Sequence, residues 1–371
     1  MLLHSCVFFT VLLSCIGCSS SKEQLIEQNL QDILNNGIEI YNIRGVSAAI
    51  IGDENLVWSG TSGISHDTIS MKPSMLFSIG SVTKNFVAAL TLKLVEEDIL
   101  TLEDSLSRWL PNFQYVDPHI TIRQLLNHTS GIYMFWNNDD LWEALKKDRS
   151  KIRTPEEVLA HIKEPHFSPG ESWRYSNTNY LLMAMIIEKA TQSSLSNQFK
   201  KYFWEPLELF NYYLWLEDTI PHNQAHVFGD NFQFGAAESD LTFRPRESHE
   251  SITHGSSGIV TNAEDLAKWC YNLFENDILT QASMNEMLQF VTFKPTSNMK
   301  GYGLGLQLFS SNLSKRERVI GHGGGNIGSA TYMIHLPEYH TSVVVMVNAF
   351  PTRSIDYFAR RIIKEIVNYH N

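Results

Sequence analysis

The chain has 371 residues, of which 43% are hydrophobic and 19% are charged. This length and composition are typical of a globular protein with one large domain or two smaller ones, and they exclude a chain that is disordered throughout. The formal net charge of −11 argues against a general nucleic-acid-binding protein, which normally carries basic surface patches.

Residues 1–17 are predicted to be an export signal. The run from Leu2 to Ile16 is mostly apolar but short for a bilayer span. Ile16-Gly17-Cys18 resembles a bacterial lipobox, so Cys18 is the expected lipidation site and membrane anchor. Cys15 stands where that motif usually has Leu, and no Lys or Arg precedes the apolar run. Lipidation at Cys15, at the rival site Leu12-Leu13-Ser14-Cys15, and a plain cleaved signal therefore stay open. The expected location is the bacterial cell envelope or periplasm.

Cysteine usage agrees with a fold held together by its core. Three of the four cysteines lie in the leader, and Cys270 is alone in the rest of the chain. An internal disulfide is therefore not expected. Cys270 lies among apolar neighbours, including Leu266 and Trp269, and is predicted to be a small buried residue.

The first elements after the leader are a helix and a hairpin. Apolar residues recur at helical spacing from Leu25 to Leu34, and Gly37 is expected to end that helix. Residues 46–51 and 56–58 are expected to form a β-hairpin around the turn at 52–55.

The middle of the chain, from about residue 76 to 299, is predicted to be mainly helical. Three helix starts are indicated by a Thr followed three residues later by Gln or Glu, at Thr121, Thr154 and Thr261. Strands are expected to return near the C-terminus, at 303–309, 318–321, 330–336 and 342–348, before a last helix over 355–367. The basic cluster at 315–318 is expected to be a solvated hairpin turn.

The predicted fold class is therefore α/β of the α+β type. An antiparallel sheet is built from both chain termini, over residues about 22–75 and 300–371, and is flanked by helices. The helical middle is an insertion beside this sheet. Residues 18–371 are treated as one domain.

Ser81-Val82-Thr83-Lys84 is the first motif that can carry chemistry. If the apolar segment after it is a helix, Ser81 lies in the first turn and shares a face with Lys84. A Ser hydroxyl needs a neighbour to take its proton, and a Lys can do so when burial or nearby positive charge lowers its pKa. Alone, the motif is common and is more often structural than catalytic.

Two further motifs follow. Tyr175-Ser176-Asn177 precedes an apolar helix, and Gly321-His322-Gly323-Gly324-Gly325 closes one predicted strand. Singly, Tyr175 fits a core aromatic and Asn177 a helix cap. Residues 323–328 formally match a dinucleotide fingerprint, but a strand follows them instead of a helix.

Read together, these motifs resemble the serine β-lactamase and penicillin-binding-protein superfamily. The resemblance is to the branch of class C-like β-lactamases, D-alanyl-D-alanine carboxypeptidases and related esterases. That family has Ser-x-x-Lys, Tyr-x-Asn and Lys-Thr-Gly or its His-x-Gly variant, in this order. Accessory stretches at 125–131, 257–261 and 301–305 also resemble it. The resemblance covers residues about 40–350 and implies a β-lactamase/DD-peptidase-like fold.

The resemblance also implies roles for individual residues. Ser81 attacks a carbonyl and forms an acyl-enzyme, and Lys84 and Tyr175 share the general-base role. Asn177 holds the substrate amide. The oxyanion is bound by the backbone N–H groups of Ser81 and Gly325, on the strand edge after the sequence His322, Gly323 and Gly324. No cofactor and no metal are expected, and a metal pair at His222 and His226 is disfavoured because Pro221 indicates a loop.

His322 is where the sequence departs from the Lys-containing third motif. It replaces a fixed positive charge with a group that titrates near pH 6.5. This disfavours efficient β-lactam hydrolysis.

The expected function is a D-Ala-D-Ala carboxypeptidase-like peptidase acting on peptidoglycan stem peptides, with an esterase or weak β-lactamase as the alternative. A non-catalytic penicillin- or ligand-binding envelope module is the alternative of another class. The sequence does not indicate an oligomeric state.

Overall fold

The computed structural model describes residues 21–53, 56–229, 239–294, 299–309, 314, 318–349 and 354–371. The leader, with Cys15 and Cys18, lies outside these residues, as does most of the basic cluster at 315–318. Within the part of the chain that is described, no helix is both long and apolar enough to cross a bilayer.

The described helices lie at both ends of the chain and throughout its middle. They are α1 Ser21–Tyr41, α2 Thr83–Glu96, α3 Leu106–Trp109, α4 Ile122–Leu126, α5 Asp139–Lys147, α6 Pro155–Leu159, α7 Asn177–Thr191, α8 Leu195–Phe199, α9 Glu247–Ile252, α10 Ala263–Glu275, α11 Gln281–Met287 and α12 Ser354–His370. Short 3-10 turns cover Gly80–Val82, Phe135–Asn137 and Pro337–Tyr339, and a π turn covers Lys200–Trp204.

The described strands form two sheets. They are β1 Gly45–Ile51, β2 Val57–His66, β3 Ile69–Ser70, β4 Phe77–Ser78, β5 Tyr213–Leu214, β6 Ile259–Thr261, β7 Val291–Thr292, β8 Met299–Tyr302, β9 Gln307–Phe309, β10 Ile320–Asn326, β11 Ser329–Leu336 and β12 Thr341–Val347. The large sheet has the order β3-β2-β1-β12-β11-β10-β9-β8-β7, and the small one β4-β6-β5.

The large sheet joins the two ends of the chain, as predicted. Strand β1 pairs antiparallel with β12, with Val46 opposite Val347, and β12 pairs antiparallel with β11. Helices α1 and α12 cover one face, where Leu30, Leu34 and Phe358 are fully buried. Helix α10 packs on the other face, and together with α2 and α7 it contributes to a larger core. The mixed fold with a large antiparallel sheet flanked by helices is confirmed.

Two predicted helix boundaries are wrong. Gly37 does not end α1, which continues to Tyr41, because its missing side chain admits the ring of Phe358. The helix start predicted at Thr261 is capped by Asn262, whose side chain accepts from the backbone N–H of Asp265. The other two helix starts, at Thr121 and Thr154, are confirmed as capping boxes.

The predicted strand at 303–309 is two strands. Chain reversal between β8 and β9 takes place at 303–306, where Gly305 has a φ of +65° that favours glycine. The next strand, β10, extends to Asn326 rather than stopping at Gly321, so the glycine run lies inside it. That extension brings the run to the site described next.

Candidate active site

Ser81 lies on a tight turn between the small sheet and helix α2. Strand β4 pairs with β6, and the N–H of Ile79 donates to the carbonyl of Ile259 at 3.0 Å. Gly80 then has a φ of +55°, and a Cβ there would lie 2.5 Å from the carbonyl oxygen of Gly325. Ser81 therefore enters α2 through a 3-10 turn wedged against β10, whereas the sequence predicted that it lies in the first α-helical turn.

Lys84 is the buried basic group of the site. Its side chain is 0% exposed, and its Nζ lies 3.0 Å from the Oγ of Ser81. The same Nζ donates to the carbonyl oxygen of Ser256 at 2.7 Å. Burial holds the pKa of Lys84 well below its usual value, since the charged form loses its hydration. The predicted pairing of Ser81 with Lys84 is present in the structure.

Tyr175 adds a second titratable group to the pair. The ring of this half-buried residue lies 4.9 Å from the Nζ of Lys84, measured to the ring centroid. Burial raises the pKa of Tyr175, and its hydrogen bond with Ser81 offsets that rise only in part. Tyr175 is therefore a neutral phenol at pH 7, able to donate a proton.

His128 holds the segment that carries Tyr175. The N–H of Ser176 donates to the Nδ1 of His128 at 3.3 Å, and the N–H of Arg174 donates to its carbonyl oxygen at 3.1 Å. The side-chain amide of Asn179 lies 3.1 Å from the same Nδ1. Burial lowers the pKa of His128 well below its usual value, with smaller contributions from Lys84 and His322. The accessory stretch at 125–131 thus orients the second motif.

The glycine run of β10 forms the opposite wall. A Cβ on Gly324 would lie 1.9 Å from the carbonyl oxygen of Ile79, so only glycine allows this approach. The N–H of Gly323 points away from β11, because it donates to the Oε1 of Gln307 at 3.0 Å. N–H directions alternate along an antiparallel strand, so the N–H of Gly325 points to that same edge, toward Ser81.

His322 lies in the core of this wall and is neutral. It is 0% exposed; its Nδ1 donates to the carbonyl of Gly323 at 2.6 Å, and its Nε2 accepts from the hydroxyl of Tyr302 at 2.8 Å. Burial lowers the pKa of His322 to about 3, and the nearby charge of Lys84 acts in the same direction. The expectation that this group titrates near pH 6.5 is therefore wrong, because the sequence does not reveal how deeply the ring is buried.

Asn177 begins α7 at the edge of a cavity of about 380 Å³. Its Oδ1 is buried and accepts no hydrogen bond within the described chain, as expected for a group that awaits a ligand donor. The cavity is lined by Ser81, Met134, Trp136, Trp142, Tyr175, Asn177, His249, Thr253, Ser256, Ser257 and Gly325. The three sequence motifs thus meet around one cavity.

Four residues that contribute to this site were missed by the sequence analysis. The carbonyl of Ser256 holds Lys84, the hydroxyl of Tyr302 fixes the tautomer of His322, and Trp136 and Trp142 line the cavity. Tyr302 and the segment after Ser256 belong to the accessory stretches that resemble the family, which is the signal that could have identified them. The indoles follow no short motif.

The described residues offer one three-residue group that could bind a metal. Glu188, Glu217 and His254 place their ligand atoms within 4.8 Å of one another. His254 forms an ion pair with Glu188 at 3.1 Å. This ion pair holds the turn that follows His254, in which the carbonyl of Ser256 accepts from Lys84. His226 lies 2.6 Å from Asp240, and His222 is exposed on the adjoining loop.

Comparison with known proteins agrees with this geometry. A family model described as Beta-lactamase matches residues 24–368. The chain belongs to the beta-lactamase family. Penicillin-binding protein 4* of Bacillus subtilis (strain 168) is 28% identical over 287 residues, which are 75% of this chain and 62% of that protein. Protein flp of Staphylococcus aureus (strain MW2) is 24% identical over 87% of this chain and 63% of its own length. The chain therefore spans less than two thirds of these curated relatives.

Solved structures of the beta-lactamase fold match nearly the whole chain. A D-stereospecific amidohydrolase from Streptomyces sp. is 28% identical, with a TM-score of 0.77 over 91% of this chain and 97% of its own. The D-amino acid amidase of Ochrobactrum anthropi SV3, complexed with L-phenylalanine amide, has a TM-score of 0.83 at 23% identity over 93% of this chain and 99% of its own. The second match supports the fold alone.

Proposed function

We propose that this beta-lactamase family member is a serine acyl hydrolase that forms an acyl-enzyme on Ser81. The observation that carries the proposal is the fully buried Lys84 amine, 3.0 Å from the Ser81 hydroxyl and with a lowered pKa. Leaving a Lys in the interior is costly, and a perturbed amine beside a hydroxyl in a cavity is typical of a catalytic base. A module that only binds ligands has no chemical use for this arrangement.

The proposed reaction uses groups of this chain alone. The neutral amine of Lys84 accepts the proton of Ser81 as Oγ bonds to the substrate carbonyl carbon. The N–H groups of Ser81 and Gly325 stabilise the negative oxygen that forms. Tyr175 donates its proton to the leaving amine or alkoxide as the bond to the carbonyl carbon breaks, and Lys84 returns a proton to Tyr175. Water then hydrolyses the ester on Ser81 by the same steps in reverse.

The substrates that this site favours are amides and esters with an uncharged leaving group. A carboxypeptidase recognises the carboxylate that follows the scissile bond, and the third motif is where its cation is expected. His322 is neutral there, with a pKa of about 3 and both ring nitrogens engaged. The similarity to a D-stereospecific amidohydrolase supports D-amino-acid amides as the substrate class. The carboxypeptidase expected from the sequence is the second candidate, supported by the same Ser81 chemistry.

A matched pair of peptides separates the two candidates. N-acetyl-D-Ala-D-Ala with a free carboxylate is compared with the same peptide ending in a carboxamide, on wild type and Ser81→Ala. We expect kcat/KM to be higher for the carboxamide, and neither peptide to be hydrolysed by Ser81→Ala. A preference of tenfold or more for the free carboxylate would establish the carboxypeptidase instead. Turnover that survives in Ser81→Ala would refute both.

A further inference from the structure

Two stacked indoles form one wall of the cavity that holds Ser81. The rings of Trp136 and Trp142, which we call the indole wall, have centroids 4.5 Å apart and planes inclined by 27°. The Nε1 of Trp142 donates to the carbonyl of Trp136 at 2.7 Å, so the polar atom of Trp142 is satisfied inside the wall. Met134 lines the cavity beside them.

The wall is held from behind by buried groups. Phe135 is 0% exposed between Met134 and Trp136, and its N–H donates to the Oγ1 of Thr178 on α7 at 3.2 Å. Trp142 packs on a small cluster formed by Val227, Leu241 and Ile327. These contacts fix the indoles relative to α7, which begins at Asn177 beside the same cavity. A prearranged aromatic surface binds a ring with little loss of side-chain entropy.

The charge and size of the cavity define what it accepts. Of the described residues that line it, none is Lys, Arg, Asp or Glu. The one imidazole in the lining is that of His249, so a charged substrate group would lose its hydration without gaining a partner of fixed charge. A cavity of roughly 150 Å³ is enough for benzene, so about 380 Å³ accepts a phenyl ring together with a short chain.

We propose that the indole wall selects acyl groups that carry an uncharged aromatic ring. The proposal rests on the acyl-enzyme at Ser81 and adds its substrate preference. The cavity is continuous with Ser81 and Asn177, whereas His322 does not line it. It therefore lies on the side of the amide-binding Asn177, where the acyl group stays after the leaving group departs. Stacking on Trp136 and Trp142 supplies the selectivity, since a pair of aromatic rings gains energy beyond the burial of its apolar area.

Esters that share one leaving group test the preference. We would compare p-nitrophenyl 3-phenylpropionate, hexanoate and acetate, each rate corrected for hydrolysis by hydroxide. We expect the phenylpropionate to exceed the acetate in kcat/KM by at least about tenfold, and to exceed the hexanoate, because the ring gains stacking beyond simple burial. The ratio does not depend on the fraction of enzyme that is folded.

Variants assign the preference to the indole wall. Trp142→Ala and, as a second variant, Trp136→Leu should bring the phenylpropionate-to-hexanoate ratio close to 1, because apolar burial remains while stacking is lost, and Trp142→Phe should restore much of it. Trp109→Ala is the matched control, because that indole is on α3, donates to Asp104 and does not line the cavity. A ratio that is unchanged in both wall variants would overturn the proposal.

Reversible boronic acids give a readout that needs no turnover. Phenethylboronic acid should inhibit wild type at least about tenfold more tightly than methylboronic acid. This difference between the two inhibitors should be several-fold smaller in Trp142→Ala, because stacking on that indole is lost. Equal binding of both by wild type would overturn the aromatic preference and leave the acyl hydrolase standing. Failure of both boronates to bind, together with no reaction of Ser81 with a fluorophosphonate, would overturn the hydrolase and the preference together.

Discussion

At the scale of single residues, burial decides the charge of the site. Lys84 and His322 are both 0% exposed, and burial lowers the pKa of each. A neutral amine can accept the proton of Ser81, and a neutral imidazole cannot attract a substrate carboxylate. Tyr175, with a raised pKa, keeps its proton for donation. The site therefore offers a base in Lys84 and an acid in Tyr175, and its third motif has no imidazolium to attract a carboxylate that follows the scissile bond.

The neutral His322 predicts a pH dependence of stability. Its folded-state pKa is about 3, below an unfolded value of about 6.5, so the unfolded chain binds the proton more readily. The stability contributed by neutral His322 is complete above pH 6.5 and is lost as the pH falls toward 3. Between pH 7 and 5, wild type should lose about 2 kcal/mol more free energy of unfolding than His322→Gln.

Urea unfolding of both proteins at pH 7, 6 and 5 measures this difference. Other titrating groups act in both chains and cancel in the comparison. Equal pH slopes for wild type and His322→Gln would show that His322 is not buried in the neutral form.

At the scale of elements, the site depends on how closely β10 approaches the turn before α2. Glycines on both sides allow this approach, since a Cβ on Gly80 would meet the backbone of Gly325 and a Cβ on Gly324 that of Ile79. The approach places the N–H of Gly325 near Ser81. Close backbone contact thus explains the glycine run. The run matches a dinucleotide fingerprint only in its spacing of glycines, since strand β11 follows it instead of a helix.

Gly324→Ala should separate these two elements. The added Cβ, 1.9 Å from the carbonyl oxygen of Ile79, forces β10 away from Ser81 and displaces the N–H of Gly325. Loss of one oxyanion donor usually costs roughly 10²–10³ in kcat, and we expect a decrease of that size in ester hydrolysis.

Gly301→Ala serves as the control for this substitution. Its Cβ would have no neighbour closer than 3.3 Å, on strand β8 of the same sheet. It should keep ester turnover within about twofold, because a methyl group 3.3 Å from its nearest neighbour needs a shift of only a few tenths of an ångström. Normal turnover in Gly324→Ala would contradict the assignment of Gly325 to the oxyanion.

At the scale of the whole molecule, the two chain ends cover the sheet face opposite the core that contains Val82 and α2. Helices α1 and α12 pack so tightly that a Cβ on Gly37 would lie 2.1 Å from the Phe358 ring. This contact joins the N-terminal helix α1 to the C-terminal helix α12, which packs on the same face of the sheet.

Gly37→Ala therefore tests the packing of the chain ends. In wild type the substitution should lower the free energy of unfolding by about 1–3 kcal/mol through overpacking. In a Phe358→Leu background the clash is relieved, and the same change should be neutral or stabilising by up to about 1 kcal/mol, since Ala favours helix over Gly. Chemical denaturation of the four proteins measures both effects. A similar loss in both backgrounds would rule out the Phe358 contact as the cause.

Much of this architecture could be predicted from the sequence, because it rests on local periodicity. Strands near both termini, a helical middle and the shared face of Ser81 and Lys84 follow from residue spacing. The wrong boundary at Gly37 comes from a partner more than 300 residues away, which no local pattern shows. The charge of His322 was missed for the same reason, since the depth of burial and the nearby Lys84 determine it.

The indole wall shows the same limit in the site itself. Trp136 and Trp142 are ordinary apolar residues in the sequence. They reach the cavity of Ser81 only because the 3-10 turn at Phe135–Asn137 packs on both α5 and α7. Contacts made through space, such as the carbonyl of Ser256 on Lys84, leave no spacing pattern. Short motifs therefore predict the proposed reacting groups, whereas the residues proposed to select the substrate are found only in the structure.

The most direct test of the account is to locate a covalent label by mass spectrometry. Wild type, Ser81→Ala and Ser257→Ala are treated with a fluorophosphonate; Ser257 is the control because it lines the same cavity. We predict one adduct, on the peptide that contains Ser81, in wild type and in Ser257→Ala, and none in Ser81→Ala. An adduct that persists in Ser81→Ala, or that lies on Ser257 in wild type, would contradict the assignment of Ser81 as the nucleophile.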